Sequence, residues 1–408
     1  MQAGGMAPET VPHMDAPLSH TEPKSHVMAV RFTGSGSEYF RIWIVNLLLI
    51  LVTLTLYLPF ARARRMAYFQ NNTRVGDDPL GFHADPWKMF RGYLVVALLG
   101  GAYWAVTNFL PAFGWLALLA FMAVWPMLWR ASLQFRLRNT SWRGVRLAFL
   151  GDIKGAYGAM LPYFFPALFF VLLLPNETAG EPMLPGQNKL LFGVAGVVVL
   201  AFVVLAPWFW KRMKSYQHSA YAFAQERTAF TATSGQFYKL YLKITIVSLL
   251  VLAGVATAVG VAMAAFAGLN LSGLKNLFTA QGSSLLMLLI GVMVLVTYVV
   301  VPLLVGSYVA SRMQNLLWSH TQSPRLRLRS DLRMATVLRV SCVNWLLIAL
   351  TLGLYWPFAK VRLARVKLEA LSVEAIGNVE DWVAEAREAG NGALGDAAGD
   401  FFGIDVGL

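Results

Sequence analysis

Six runs of apolar residues begin near Tyr93, Ala112, Ala156, Leu191, Ile244 and Leu285. Each is long enough, at about twenty residues, to cross the hydrocarbon of a bilayer. A soluble fold has no room to bury so many runs of that length. The composition agrees: 57% of residues are hydrophobic and only 13% charged, well outside the globular norm. The expectation is an α-helical polytopic membrane protein. Two shorter runs, Ile42 to Phe60 and Val340 to Phe358, carry nearly the same wording: NLLLILVTLTLYLPFARAR from Asn46 to Arg64, and NWLLIALTLGLYWPFAKVR from Asn344 to Arg362.

The formal charge of +13 is concentrated just beyond the ends of these runs, as at Arg62, Arg64, Arg65, Arg130, Arg136, Arg138, Lys211, Arg212, Lys214, Arg312, Lys360 and Arg362. Cytoplasmic flanks of membrane helices are enriched in this way, and such flanks favour anionic lipids. A nucleic-acid surface would instead interleave cations with aromatic residues on a soluble domain, so no nucleic-acid partner is expected. Residues 1–28 lack the pattern of a secretory signal and read as an uncleaved disordered tail. Residues 29–378 read as the membrane domain, and 379–408 as a short helix followed by a disordered Gly/Ala/Asp tail. Cys342 reads as a small packed hydrophobe, and Gly254, Ala258, Gly260 and Ala264 as a close helix-packing face.

A fixed spacing runs along the chain. Pro59, Thr73, Phe82 and Phe90 are separated as are Pro126, Thr140, Phe149 and Tyr157, and as are Pro207, Tyr221, Phe230 and Tyr238; Phe32 and Phe40 reproduce the last step. Tyr68, Phe135 and Tyr216 hold one further place in the series. This predicts a repeated unit in which proline bends or ends a helix at the membrane exit and a short strand follows. The segments PLGFHA, VRLAFL, RTAFTA and PRLRLRS alternate with period two, as half-buried strands do. Four or five such strands are expected to pair into one small cytoplasmic sheet. The far turns, PNETAGEPMLPGQ and LNLSGLKNLFTAQGSS, are poor in positive charge and are expected outside the cell. Each shorter run lies between two basic, strand-bearing flanks. A full crossing there would break the charge rule, and re-entry would satisfy it, so six to eight membrane segments in helix pairs are expected.

The wording N-x-L-L-x-x-x-T-L-x-x-Y-x-x-F-A-(K/R)-x-R, carried by Asn46, Thr53, Leu54, Tyr57, Phe60, Ala61, Arg62 and Arg64, resembles the YjgN family of bacterial inner-membrane proteins, whose domain has no assigned function. The second copy, through Asn344, Thr351, Leu352, Gly353, Tyr355, Phe358, Ala359, Lys360 and Arg362, is closer; the first has Thr55 where the second has Gly353. Arg138, Asn139, Thr140, Gly144 and Phe149 also resemble the family's loop pattern. The resemblance implies a multi-pass inner-membrane protein and supplies no catalytic residues.

Signatures of chemistry are scarce. There is no H-E-x-x-H, Walker loop or Cys-x-x-Cys, and GSGSE at Gly34 reads as a turn. His83 and His218 read as solvated or strand-paired histidines rather than ligands, so neither a metal nor a cofactor is expected. No apolar core contains a charged residue, which argues against a proton-coupled pump. The candidate cavity or helix-packing polar residues are Asn46, Asn344, Thr53, Thr351, Tyr57 and Tyr355. Candidate lipid head-group contacts are Arg62, Arg64, Arg65, Lys360 and Arg362. Together these favour a transporter or channel-like protein for a small solute or lipid. The alternative is a non-transporting scaffold whose basic cytoplasmic face binds anionic lipid or a protein partner, as a homo-oligomer or otherwise; an enzyme is the least favoured reading.

Overall fold

Side-chain caps set where the helices begin. Ser35 accepts a hydrogen bond from the Glu38 N–H while Glu38 accepts one from the Ser35 N–H, a capping box. Thr233 and Gln236 form the same reciprocal pair, and Asp85 and Asp152 accept from the N–H groups of Trp87 and Gly155. The GSGSE segment is thus a helix start.

A computed structural model describes residues 25–173, 187–266 and 283–391. In chain order the elements are β1 (Ser25–Phe32), α1 (Gly36–Val52), α2 (Leu58–Asn71), β2 (Thr73–Val75), β3 (Asp78–Phe82), α3 (Pro86–Phe109), α4 (Gly114–Arg138), β4 (Thr140–Trp142), β5 (Val145–Phe149), α5 (Ile153–Leu173), α6 (Gln187–His218), β6 (Tyr221–Phe223), β7 (Glu226–Arg227), β8 (Ala229–Phe230), α7 (Ser234–Phe266), α8 (Ser283–Ser319), β9 (Thr321–Gln322), β10 (Leu326–Ser330), α9 (Met334–Leu350), α10 (Trp356–Glu369), β11 (Leu371–Ile376) and α11 (Val379–Asn391). The far turns named above lie mostly or wholly outside the described residues.

The strands form one antiparallel sheet of eleven, larger than the four or five expected. Its order follows the chain around from β1 to β7 and back from β11 to β8. The two end strands, β7 and β8, are separated only by Thr228, whose N–H bonds to the Tyr221 carbonyl at 2.8 Å. The sheet therefore curls into a barrel-like ring whose two end strands meet at Thr228. The additional strands β2, β4, β6 and β9 are two or three residues long, too short to show a period in sequence. Pairing of β1 with β11 takes in Ser25 opposite Ile376, so strand extends into the segment read as N-terminal tail. Along β10 the leucines are half-buried and the arginines exposed, the alternation anticipated from PRLRLRS.

One register step recurs at five places. Phe32, Phe82, Phe149, Phe230 and Ser330 end a strand and lie opposite Thr73, Thr140, Tyr221, Thr321 and Leu371, which each begin one. The next N–H in each case (Thr33, His83, Leu150, Thr231 and Asp331) bonds to the carbonyl of Asn72, Asn139, Ala220, His320 and Ala370.

From each step a helical hairpin leaves the sheet and returns to it: α1–α2, α3–α4, α5–α6, α7–α8 and α9–α10. Every helix packs on the one before and the one after, and α10 packs on α1, closing a ring. The core lies at the sheet end of this ring. Pro59, Pro126, Pro207 and Pro357, each in the returning arm of its hairpin, are also buried, with Ser307 in the corresponding place of α8. Farther from the sheet the wall is one helix thick. Residues 97–104 of α3, more than two turns, are all exposed, and no described residue of α8 from 287 to 306 is buried. Gly254 and Gly260 are correspondingly open: no atom lies within 4 Å of where a Cβ would sit, so the expected close packing is absent there. Cys342, midway along α9, is likewise exposed rather than packed.

Candidate functional site

The two hairpins built from the repeated wording differ from the other three. Helices α1 and α9 have 17 residues and α2 and α10 have 14, so each arm reaches about 21–26 Å at 1.5 Å per residue. The arms of α7–α8 have 33 and 37 residues. Because α10 packs on α1, the two short hairpins stand side by side in the ring. Phe40 meets Phe358 with ring centroids 5.6 Å apart, and Arg365 Nη2 donates to the Gly34 carbonyl at 2.8 Å. Gly36 lets this happen, since a Cβ there would lie 2.4 Å from the Phe358 ring.

Both short hairpins end in an apolar, exposed tip whose backbone N–H groups are satisfied from within. Val52, Leu54, Leu350 and Leu352 project outward, Leu54 at 84% and Leu352 at 94% exposure. In the first turn the N–H groups of residues 53, 54, 55, 56 and 58 bond to the carbonyls of Leu49, Leu51, Ile50, Thr53 and Thr55. The remaining one, Tyr57 N–H, donates to Thr53 Oγ1 at 3.0 Å, while that hydroxyl donates to the Leu49 carbonyl at 2.7 Å. The second turn matches it. Thr351 Oγ1 accepts from Tyr355 N–H at 2.9 Å and donates to Leu347 O at 2.7 Å, and the N–H groups of 351, 352, 353, 354 and 356 find local carbonyls. A turn with exposed leucines and no unsatisfied N–H meets the donor half of the condition that hydrocarbon imposes on backbone. Both turns pass through left-handed conformations, at Leu54 and Thr55 in one and Leu352 and Gly353 in the other. The break is therefore shared, although only the second copy has a glycine.

Asn46 and Asn344 are buried inside these hairpins. Asn46 Nδ2 donates to Ala61 O at 3.5 Å and Asn344 Nδ2 to Ala359 O at 3.2 Å, clasping the two arms of each. Both Oδ1 atoms are buried without a hydrogen-bond partner. Tyr57 stacks on Phe60 and Tyr355 on Phe358, at 5.5 and 5.2 Å. Arg64 lies over the Tyr57 ring, Arg362 donates to Tyr355 Oη at 3.1 Å, and Lys360 lies over Trp356. Of the five basic candidates Arg64 is exposed, whereas Arg62, Arg65, Lys360 and Arg362 are half-buried. At the sheet end Tyr68 Oη donates to the Ser35 carbonyl at 2.7 Å, and burial, then the hydrogen bond to Glu38, push its phenol up to about 12.

A second site lies inside the strand ring and was not anticipated. A cavity of about 510 Å³ is bounded by Leu80, Leu147, Phe223 and Leu326 from the strands and by Arg136, Gln217 and Trp318 from the helix ends. Its far end is stopped by α11, whose Val379, Trp382 and Val383 pack on Trp142, Phe223 and Ala375. Arg325 holds this stopper in place: it lies over the Trp382 ring, 3.4 Å from Glu226 and 3.9 Å from Glu385. The amphipathic pattern of 379–391 was the available signal, since Val379, Trp382 and Val383 share one face at helical spacing. His83 and His218 sit at the sheet, bonded to Ser141 Oγ at 2.8 Å and Thr321 Oγ1 at 2.9 Å. Among the described residues no group of three or more His, Cys, Asp and Glu is placed to hold a metal ion.

Five helices among the described residues are long and apolar enough to cross a membrane: Pro86–Phe109, Pro111–Arg138, Phe192–His218, Ser234–Ala262 and Ile290–Ser319. The chain is 27% identical over 164 residues to the inner membrane protein YjgN of Salmonella typhimurium strain LT2, which covers 39% of this chain and 40% of that protein. It is 28% identical over 141 residues to YjgN of Escherichia coli O157:H7, covering 34% and 35%, and 25% identical over 176 residues to YjgN of Escherichia coli K12, covering 43% and 42%. The matched region thus spans less than half of each relative. No solved structure matches the chain. The helices and these relatives identify a multi-pass protein of the inner membrane. Residues 27–401 match the family described as bacterial protein of unknown function, DUF898, and the chain belongs to that family.

Proposed function

We propose that this protein handles lipid within the membrane, as a transporter-type protein whose helix ring receives a lipid over a low stretch of its wall. In this reading the strand ring is cytoplasmic, as the basic flanks require. The unit of strand pair and helical hairpin occurs five times, giving six full crossings from the three long hairpins and two re-entrant hairpins from the repeated wording. The observation that carries the proposal is the side-by-side placement of the short hairpins, whose leucine tips and turns with every N–H bonded suit a position at bilayer depth. Where they stand, the wall falls short of the far leaflet. Apolar cargo fits the wall better than a hydrated ion, since the surfaces of the long helices carry Leu, Val, Phe and Gly rather than charge.

The stopper α11 favours lipid exchange with the surrounding bilayer over an open aqueous channel, because the strand ring is closed at its far end. The second reading, a non-transporting scaffold, draws on the same closure and on the basic residues around the sheet. The two separate in purified protein reconstituted into vesicles carrying a fluorescent phospholipid, with leaflet exchange followed by quenching from outside. Exchange that exceeds protein-free vesicles, and that falls when Leu54 and Leu352 are both replaced by Asp, supports lipid handling. Exchange at the protein-free level from folded protein overturns it in favour of the scaffold.

A further inference from the structure

We propose that the groove between the sheet-side ends of α7 and α8 binds a phosphate group, through Lys239, Lys243 and Arg312. The groove encloses about 470 Å³, and its lining contains these three cations and no carboxylate. Lys239 and Lys243 are four residues apart on α7 and so project from one face. Arg312 faces them from α8, its guanidinium over the Tyr308 ring at 5.7 Å. None of the three makes an ion pair with an acidic residue among those described, where Arg143, Arg329 and Arg365 do. Like charges gathered without a counter-ion repel one another, and a bound anion removes that cost while gaining charge-assisted hydrogen bonds.

The amide and imidazole groups of the groove are already committed. Asn315 accepts from Leu332 N–H and Ser330 Oγ and donates to the Leu332 carbonyl. His320 Nδ1 donates to the Leu316 carbonyl, which leaves Nε2 to accept from Gln236. These contacts fix the floor and leave the three cations, with the Tyr308 hydroxyl beside Arg312, as the groups able to meet a ligand. The place is also distinct among its counterparts. Arg41, Arg91 and Arg339 stand where Lys239 stands, nine residues after Phe32, Phe82 and Ser330, but Val45, Val95 and Val343 stand where Lys243 does. Only this groove therefore adds a second cation one turn along. Basic pockets between membrane helices at the head-group level are suited to phosphate-bearing lipid heads, and free phosphate shares the chemistry. The site does not depend on lipid entering the helix ring.

The test compares the full-length protein in neutral detergent with the triple variant Lys239→Gln, Lys243→Gln, Arg312→Gln, using native mass spectrometry to titrate dioleoylphosphatidylglycerol, dioleoylphosphatidylcholine and inorganic phosphate. Binding of phosphatidylglycerol at least tenfold tighter than phosphatidylcholine, lost in the variant, supports a lipid phosphate. Saturable inorganic phosphate binding lost in the variant supports the free anion. Equal affinity of the two proteins for all three probes overturns the proposal. Should the triple variant fail to fold, Lys243→Val, which copies the side chain at the corresponding places, replaces it and is expected to lower affinity at least threefold; an unchanged affinity there overturns the proposal as well.

Discussion

At the scale of single residues, the most informative contrast is Thr55 against Gly353. Both sit in the left-handed region, at φ 75° and 94°, which glycine occupies without penalty and a β-branched residue at a cost of about 1–3 kcal/mol. Thr55→Gly is accordingly expected to stabilise the protein by about 1 kcal/mol, part of the relief being offset by the freer unfolded chain. The reading is a higher thermal unfolding midpoint, with Gly353→Thr lowering it; a lower midpoint for Thr55→Gly would show that the Thr55 contact to Tyr93 at 3.5 Å outweighs the strain. The paired threonines and asparagines were legible in the sequence as polar residues at matching places in two copies. Their work as turn bridges and arm clasps was not, because that depends on backbone angles that the wording does not disclose. A similar shift affects the aromatic series. Phe90, Tyr157 and Tyr238 keep the visible spacing, but the buried side chains lie one residue earlier, at Met89, Ala156 and Phe237, with Tyr39 and Val337 in the other two places. Position is held there while residue type varies from alanine to phenylalanine, so no letter pattern marks it.

At the scale of elements, arm length separates the two kinds of hairpin. An arm of 14–17 residues that begins at the sheet cannot both clear the head groups and cross about 30 Å of hydrocarbon. The tips at Leu54 and Leu352 are then expected to lie within the bilayer. In a Cys342→Ser background, Leu54→Cys and Leu352→Cys should react with a membrane-impermeant maleimide from neither aqueous side, while Asp77→Cys and Asn378→Cys, at the sheet, should react from one and the same side. Labelling of Leu54→Cys from the side opposite Asp77→Cys would mean that the short hairpin crosses. The helices and the strands β3, β5, β8 and β10 could be read from periodicity because each lies in a segment with several alternating or helical positions. A strand such as β9 could not: it is Thr321 and Gln322 alone, and its pairing is imposed by the ends of α8 and β10 on either side of it.

At the scale of the whole molecule, closure is made by the two ends of the described chain. β1 and β11 pair with each other to complete the strand ring, and α11 follows β11 directly into the ring's open end. Sequence shows Phe32 and Phe40 reproducing the last step of the series, but not that β1 before it pairs with β11, since the two meet across more than 300 residues. The stopper makes its apolar contacts through Val379, Trp382 and Val383, of which Trp382 is the largest, and it touches the strand ring rather than the long hairpins. Trp382→Ala should therefore loosen the sheet without loosening the membrane helices. Burial of a tryptophan of this kind is worth about 3–5 kcal/mol, enough to loosen α11 where its remaining anchors are the smaller Val379 and Val383, a half-exposed Arg325 and the Arg387 bond to the Arg143 carbonyl. Hydrogen exchange read by mass spectrometry in a lipid nanodisc is expected to rise at least tenfold in β4, β5 and β6, which line the cavity beneath α11, and to stay within twofold in α3, α4, α7 and α8. An equal rise in the long helices would show that the strand ring and the helix ring unfold as one cooperative body, with the stopper bracing both; no rise in the strands would show that the cavity is held shut by the barrel's own side chains.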